Sequence, residues 1–101
     1  MKIQYKLRIS DEVAFFIKGL HPDLKKKIKA GLKQLITNPE TGKPLKSELT
    51  GLNSFRIGRF RIIYRIGSGT VIGIVAVGPR KKIYEATYRL IRKGHEPASD
   101  S

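Results

Sequence analysis

Apolar and polar residues alternate along the first nine positions of the chain. The apolar members are Ile3, Tyr5, Leu7 and Ile9, and basic or amide side chains separate them. A period of two residues is typical of a β-strand with one buried face. After Ser10 the apolar residues recur at intervals of three and four, which is the spacing of an amphipathic helix. Serine is also a favoured N-cap, so the pattern predicts a strand followed by a helix that begins at residue 11.

Two successive helices are predicted between residues 11 and 37. The apolar stripe of the first consists of Val13, Phe16, Ile17 and Leu20, and that of the second of Leu24, Ile28, Leu32 and Leu35. Proline is favoured at the first position of a helix, so Pro22 predicts the start of the second one, with His21 as its cap. Asn38-Pro39 predicts its end. The lysines of the second helix are interpreted as its solvated face, and the two helices should form an antiparallel hairpin.

The chain from residue 39 onward is predicted to be mostly β. Residues 39–53 contain two prolines and two glycines and predict a long loop. Strands are predicted at Phe55–Ile57 and Phe60–Ile66, on either side of Gly58. The sequence Gly67-Ser68-Gly69-Thr70 is typical of a hairpin turn.

An almost entirely apolar run, Val71–Val77, predicts a central strand that is covered on both faces. A short helix is predicted at Ile83–Arg92. The order of elements is therefore a strand, two helices, three strands and a helix. It predicts an α+β fold, with an N-terminal strand, an antiparallel helical hairpin, an antiparallel sheet of three further strands and a short C-terminal helix.

The charge of the chain narrows the choice of partners. It has 101 residues, with 21 lysines and arginines against 8 aspartates and glutamates, and a formal net charge of +13 with both histidines neutral. Such a charge favours a polyanionic partner, either a nucleic acid or an acidic protein, because binding releases counterions. No run approaches the roughly 20 apolar residues that span a bilayer, and the N-terminal residues lack the pattern of a signal peptide. We therefore expect a cytoplasmic protein without a membrane partner.

The composition also limits the chemistry. Cysteine is absent, which excludes disulfides, thiolate metal sites and cysteine nucleophiles. The only two histidines, His21 and His95, cannot form a His-rich zinc site. The carboxylates are not paired in a way that suits a metal-dependent nuclease, so we expect a protein without a metal or another cofactor.

Arginines are concentrated in the predicted strands. Arg59, Arg61 and Arg65 share one strand face, opposite to the face of the aromatic residues. A glycine hairpin would bring Arg80, which follows the central strand, beside them. A guanidinium has a planar fork that matches phosphate oxygens, whereas several like charges on one face repel each other. The set predicts a phosphate-binding surface; the alternative is the plain solvated face of a basic protein. Further candidates, for stacking on unpaired bases, are Tyr64, Tyr84 and Tyr88.

A sequence motif runs through the predicted strands. It consists of R-I-G-R-F-R-I-I-Y at residues 56–64, the glycine hairpin, V-G-P-R at residues 77–80, and Tyr84. This motif resembles the C-terminal half of the RelE/ParE superfamily of bacterial toxin–antitoxin toxins. The preceding strand, the helical hairpin and the segment Leu49-Thr50-Gly51-Leu52 also follow the order of that superfamily, and the resemblance covers roughly residues 2–92.

The resemblance implies a RelE-like fold, with residues 1–93 as a single toxin domain and residues 94–101 as a flexible tail. It implies a cytoplasmic toxin that a cognate antitoxin neutralises. RelE-like members enter the ribosomal A site and cleave messenger RNA, which would make this chain an mRNA interferase, a ribosome-dependent endoribonuclease that inhibits translation. ParE-like members inhibit DNA gyrase and lack the cleavage residues.

The resemblance also implies site residues. Arg61 matches a strand arginine of RelE-like members, Arg80 matches the arginine after V-G, and Tyr84 approximately matches a nearby tyrosine. Arg56 matches the second of two basic positions on the preceding strand. The first of these positions falls on Ser54, which is a departure from the pattern. Because Arg61, Arg80 and Tyr84 occur together, the RelE-like branch is favoured over the ParE-like one.

These residues lead to a hypothesis for RNA cleavage. The catalytic candidates are Arg56, Arg61, Arg80 and Tyr84, and the further RNA-binding candidates are Lys46, Arg59, Arg65, Lys81 and Lys82. Arginines would hold the scissile phosphate while the neighbouring 2′-hydroxyl attacks it, which requires a base for the hydroxyl proton and an acid for the leaving oxygen. Arg56 is unsuited as the base because a guanidinium stays protonated. The alternatives for the base are Lys46, Lys81, Lys82 and Tyr84.

Overall fold

The computed structural model describes residues 5–67 and 69–92. In chain order the elements are β1 (Lys6–Ile9), α1 (Asp11–Lys18), α2 (Pro22–Thr37), β2 (Lys43–Pro44), β3 (Asn53–Ile57), β4 (Phe60–Ile66), β5 (Val71–Pro79) and α3 (Arg80–Arg92). Short 3₁₀ turns occur at Pro39–Thr41 and Ser47–Leu49. Within the described ranges, no helix has both the length and the apolar character needed to cross a membrane. The predicted tail from residue 94 lies outside the described residues.

The strands form one sheet in the order β1-β5-β4-β3-β2. Strand β1 runs parallel to β5, and the other neighbouring pairs are antiparallel. A parallel pair needs a long crossover connection, and here the chain passes through two helices and three strands between β1 and β5. The prediction of an α+β fold with a mainly antiparallel sheet is confirmed.

Helices α1 and α2 cover one face of the sheet, and both are capped as predicted. The Ser10 hydroxyl accepts a hydrogen bond from the Val13 N–H at 3.2 Å. The His21 Nδ1 accepts one from the Asp23 N–H at 3.2 Å. The buried cluster between the helices and the sheet consists of Val13, Ile17, Ile28, Leu32, Leu35, Ile62, Tyr64, Ile72, Ile74 and Val77. This layer leaves the opposite face of the sheet to α3.

Helix α3 packs on that opposite face. The second buried cluster consists of Leu52, Ile63, Val75, Ala76 and Ile83. Burial on both sides of β5 agrees with the prediction for Val71–Val77. The helix begins at Arg80, three residues before the predicted start at Ile83, because the chain turns directly out of β5. The Arg80 N–H donates to the Arg59 carbonyl at 2.8 Å and fixes this turn.

A β-bulge allows side chains of β5 to pack on both faces of the sheet, against the helical hairpin and against α3. Consecutive residues of β4 pair with Ala76 and Ile74, so Val75 has no partner of its own in β4. The extra residue shifts the alternation of side chains by one position. Ile74 and Val77, three residues apart, consequently both belong to the cluster under the helical hairpin.

The structure adds a strand to the predicted loop at residues 39–53. Lys43 and Pro44 form β2 and pair with Ser54 and Asn53 of β3. Proline is tolerated in β2 because this strand is at the edge of the sheet. Strand β3 begins at Asn53, two residues before the predicted start. A strand of two residues shows no periodicity, so the pattern of the sequence could not predict it.

Candidate functional site

The sheet face that carries α3 also carries the strand arginines. Arg56 on β3 is the cross-strand partner of Arg61 on β4, and Arg61 is in turn the partner of Gly78 on β5. Opposite residues of an antiparallel pair point to the same face, so the two arginine side chains leave the sheet side by side. Arg80 follows Gly78 by two residues, where β5 ends and α3 begins.

A cleft of about 560 Å³ lies between the β3–β4 turn and the start of α3. Its lining consists of Arg56, Gly58, Arg59, Pro79, Arg80 and Lys82. Because four of these side chains are cationic, we call it the arginine cleft. The Arg56 Nε donates to the Gly58 carbonyl at 3.2 Å, which draws this side chain over the turn. Gly58 has a φ of 59°, a left-handed conformation that glycine adopts without strain.

A second cleft, of about 310 Å³, lies on the other side of β3. Its lining consists of Thr41, Gly42, Lys43, Ser54, Phe55, Arg56 and Arg61. We call it the loop cleft, because Thr41–Lys43 comes from the segment that leads into β2. Arg56 lines both clefts, so the two adjoin at this side chain.

Ser54 and Arg61, which line the loop cleft, form a network with Tyr84 of α3. The Arg61 Nη1 donates to the Ser54 hydroxyl at 3.0 Å, and the Ser54 and Tyr84 hydroxyls lie 3.2 Å apart. The guanidinium carbon of Arg61 is 5.8 Å from the centroid of the Tyr84 ring, within the range of a cation–π attraction. Ser54 is only 2% exposed, although it is polar. Helix α3 holds Tyr84 in this position because the adjacent Ile83 is buried against the sheet.

Tyr64 holds the segment that borders the loop cleft. Its side chain is fully buried, and its hydroxyl donates to the Pro39 carbonyl at 2.5 Å and accepts from the Gly42 N–H at 3.0 Å. Burial raises the pKa of Tyr64; the Gly42 hydrogen bond opposes this shift, and the charge of Glu40 reinforces it. The prediction that Tyr64 stacks on bases is wrong, because the ring packs under the helical hairpin.

Other predicted residues lie farther from the two clefts. Arg65 shares the face of Arg61, but the fully buried Ile63 lies between them along β4. Lys46 is exposed just before the 3₁₀ turn that follows β2. The side chain of Lys81 lies outside the described part of the structure. Of the candidate bases, Lys82 and Tyr84 are therefore the two whose described side chains border a cleft or its network.

The third candidate for base stacking lies one turn beyond Tyr84 on α3. Tyr88 is half-buried, and the guanidinium carbon of Arg92 is 5.6 Å from the centroid of its ring. This arginine already faces the Tyr88 ring, whereas Tyr84 contacts Ser54 of the loop cleft. In residues 5–67 and 69–92 no group of three or more histidine and carboxylate side chains is placed to hold a metal ion. The groups that the site offers are guanidiniums, the ammonium groups of lysines, the hydroxyls of a serine and a threonine, and a phenol.

Sequence reasoning identified the arginines but not the residues that hold them. Ser54 entered only as a departure from a motif, yet its hydroxyl joins Arg61 to Tyr84. Alternation along β3, which places residues 54 and 56 on one face, is a signal that could have identified it. Thr41 and Lys43 carry no such signal, because their position depends on contacts with residues far along the chain.

Comparison with known families gives a match over most of the chain. The family model described as ParE toxin of type II toxin-antitoxin system, parDE, matches residues 7–84. The search of curated proteins gives no match.

Several solved structures are similar to this chain. A chain of the toxin–antitoxin complex RelBE2 from Mycobacterium tuberculosis is 30% identical with a TM-score of 0.70, and the match covers 77% of this chain and 100% of that one. For the archaeal RelE–RelB complex from Pyrococcus horikoshii the identity is 26%, the TM-score 0.63, and the coverage 77% of this chain and 97% of that chain. The free toxin RelE of E. coli, in a mutant form, has the same fold with a TM-score of 0.68, at 15% identity over 86% of this chain and 93% of that chain.

Proposed function

Because this chain belongs to the ParE toxin family of type II toxin–antitoxin systems, within the RelE/ParE superfamily, we propose that it inhibits translation by cleaving messenger RNA on the ribosome. The observation that carries this proposal is that Arg56 and Arg61 line the loop cleft, the Ser54 hydroxyl joins Arg61 to Tyr84, and Arg80 lines the adjoining arginine cleft. Cationic side chains thus line both clefts that adjoin at Arg56, an arrangement that suits a polyanion with regularly spaced phosphates.

The proposed reaction is a transfer of the phosphoryl group within the RNA. The 2′-oxygen of one nucleotide forms a bond to the adjacent phosphorus, and the bond from phosphorus to the 5′-oxygen of the next nucleotide breaks. The products are a 2′,3′-cyclic phosphate and a 5′-hydroxyl. Negative charge accumulates on the phosphoryl oxygens in the transition state, and the guanidiniums of Arg61 and Arg80 would stabilise it.

Two protons must move in this reaction. A base takes the proton of the 2′-hydroxyl, and an acid gives one to the departing 5′-oxygen. We assign one of these roles to the Tyr84 phenol, which contacts the Ser54 hydroxyl at the loop cleft, and we regard Lys82 in the arginine cleft as a candidate for the other. Orientation of the message by the ribosome would contribute further, because positioning alone lowers reaction barriers substantially.

The antitoxin would neutralise the toxin by charge and by contact. The relative from M. tuberculosis belongs to a toxin–antitoxin complex. A net charge of +13 suits a partner with acidic residues. We propose that a cognate antitoxin covers the arginine cleft, which would exclude the message from it. Both the ribosome and the antitoxin complex belong to the cytoplasm, where we expect this protein to act.

A second candidate function is inhibition of DNA gyrase by binding, without chemistry. The matched family model, which describes ParE toxins, favours it. In that case the arginines would contact an acidic surface of gyrase, and Tyr84 would have no part in proton transfer.

The test is expression of the chain in a translation extract, followed by primer extension on a reporter message. We expect new 5′-ends within codons, which require ribosomes and disappear with Arg80→Ala. The matched control is Arg92→Ala, an exposed arginine at the opposite end of the same helix. Intact messages, together with gyrase trapped on DNA in cells that express the protein, would instead support the second candidate.

A further inference from the structure

The Ser54 hydroxyl has an unusual position for a buried polar group. Ser54 and Thr87 are the buried polar residues of the described part of the chain. The Thr87 hydroxyl donates to the carbonyl of Ile83 within its own helix at 2.8 Å, which is a local bond. The Ser54 hydroxyl instead contacts Arg61 of β4 and Tyr84 of α3, which are 7 and 30 positions away in sequence. Its bonds therefore connect candidate site residues and do not stabilise its own strand.

We infer that Ser54 is a positioning residue, which holds the Tyr84 phenol and the Arg61 guanidinium in a fixed relation for catalysis. The inference rests on the proposed function, because it is there that Arg61 and Tyr84 act on RNA. It gives a role to the residue that replaces a basic side chain of the related toxins.

The donors and acceptors of the three groups explain why a hydroxyl suits this position. A guanidinium only donates, so the Ser54 oxygen accepts from Arg61. Serine then retains one proton and one lone pair. It can accept a hydrogen bond from a neutral Tyr84 and donate one to an ionised Tyr84, so the contact survives a proton transfer. A lysine or arginine at position 54 has no acceptor and would repel Arg61.

The surroundings keep the hydroxyl in place. Ser54 lies between two paired strands, with Lys43 of β2 on one side and Ile63 of β4 on the other. A side chain at Gly42 would approach the Ser54 carbonyl to 2.8 Å, so the segment before β2 closes tightly over this strand. The Nε of Arg61 is buried and has no hydrogen-bond partner among the described residues. The bond to Ser54 is thus the side-chain hydrogen bond that orients this guanidinium.

The kinetic test compares Ser54→Ala with Ser54→Thr, which keeps the hydroxyl, on ribosomes programmed with a reporter message. We expect Ser54→Ala to lower the single-turnover rate constant by about 10²-fold. The toxin concentration that gives half of the maximal rate should stay unchanged. Ser54→Thr should recover most of the rate. An equal decrease of the rate constant in both variants would overturn the inference. So would a change that is confined to the toxin concentration at half of the maximal rate.

A second measurement does not depend on RNA cleavage. In the free protein with fluorotyrosine, the Tyr84 resonance is assigned by its absence in Tyr84→Phe. We expect Ser54→Ala to shift or broaden this resonance and to leave that of Tyr5, which precedes the distant strand β1, unchanged. Identical Tyr84 signals in wild type and Ser54→Ala would contradict the inference. If the wild-type protein fails to cleave messages, the proposed function is wrong, and this measurement still decides whether Ser54 positions Tyr84.

Discussion

At the scale of single residues, Tyr64 joins the core to the border of the site. Its hydroxyl is bonded to Pro39 and Gly42. Tyr64→Phe leaves both backbone groups without this partner, and we expect a loss of about 1–3 kcal/mol in the free energy of unfolding. Urea denaturation measures the loss. The control is Tyr88→Phe, a half-buried tyrosine of α3 for which a change within about 0.5 kcal/mol is expected.

The same residue predicts a loss of stability in alkali. Burial raises the pKa of Tyr64 above the value of about 10 that a tyrosine has in the unfolded chain. The native state then binds more protons than the unfolded state from about pH 10 upward, so the free energy of unfolding falls as pH rises through this range. Below this range Tyr64 is protonated in both states and contributes nothing to the pH dependence of stability. We expect denaturation midpoints of the wild type to fall more steeply than those of Tyr64→Phe; parallel curves would contradict the argument.

Arg80 provides a test of the site that spares the fold. Its side chain is exposed, and its backbone bond to Arg59 survives truncation of the side chain. We expect Arg80→Ala to lower message cleavage by about 10²–10³-fold, the usual effect of removing one donor to transition-state charge. Growth arrest of expressing cells should disappear at an unchanged level of folded protein. Full toxicity of the variant would remove Arg80 from the proposed mechanism.

At the scale of elements, helix α2 approaches the sheet most closely at a glycine. Gly31 is buried, and a side chain there would overlap the Cδ1 of Ile57 and lie 3.3 Å from the Phe55 ring. Glycine within a helix is normally destabilising by up to about 1 kcal/mol relative to alanine. Here we expect overpacking to cancel that gain, because the added methyl must displace the end of the Ile57 side chain and lies tightly against the Phe55 ring. Gly31→Ala should therefore change the free energy of unfolding, measured by urea denaturation, by less than about 1 kcal/mol.

A double variant isolates this contact. Ile57→Val removes the Cδ1 atom, so Gly31→Ala should be more favourable to stability in that background than in the wild type. Urea denaturation of the four proteins gives the coupling free energy between the two positions. Strictly additive effects would show that the two side chains do not interact, so that α2 can move away from β3 without a loss of stability.

The elements that could be predicted are those with a period and an end signal. Ser10, Pro22 and Asn38-Pro39 marked the helix boundaries because capping depends on neighbouring residues. The parallel pairing of β1 with β5 and the short β2 depend on contacts between distant parts of the chain, which local patterns do not contain. Alternation reveals the arginines and also places Ser54 on the face of Arg56. It does not show that Ser54 contacts Arg61 and Tyr84, because these partners come from β4 and α3.

At the scale of the whole molecule, positive charge lies both on the side of the helical hairpin and on the side of α3. Most lysines of α2 are exposed, namely Lys26, Lys27, Lys29 and Lys33. The arginine cleft lies at the start of α3, on the other face of the sheet. Binding of single-stranded RNA should weaken with salt by a slope of about 0.7 in log K for each phosphate that is neutralised. If the RNA lies in the clefts, Arg56→Gln should reduce this slope by about 0.7.

The matched control for this measurement is Lys29→Gln, an exposed charge of α2. We expect this variant to keep the wild-type slope in fluorescence anisotropy titrations with a short RNA over a range of salt concentrations. A reduced slope with Lys29→Gln and an unchanged one with Arg56→Gln would place the RNA on the helical hairpin and not in the clefts.

The position of β5 has a consequence for the order in which the molecule is made. It hydrogen-bonds to β1 and β4, and it is the last of the described strands to be synthesised. Synthesis proceeds from the N-terminus at about 5–20 residues per second. Strand β1 therefore remains unpaired until β5, its neighbour in the sheet, has been synthesised. Arg80 and Tyr84 are added only after β5 is complete. A product whose translation stops before that point lacks the pairing of β1 with β5 and has neither Arg80 nor Tyr84, so under the proposed function we expect incomplete copies to be inactive in message cleavage.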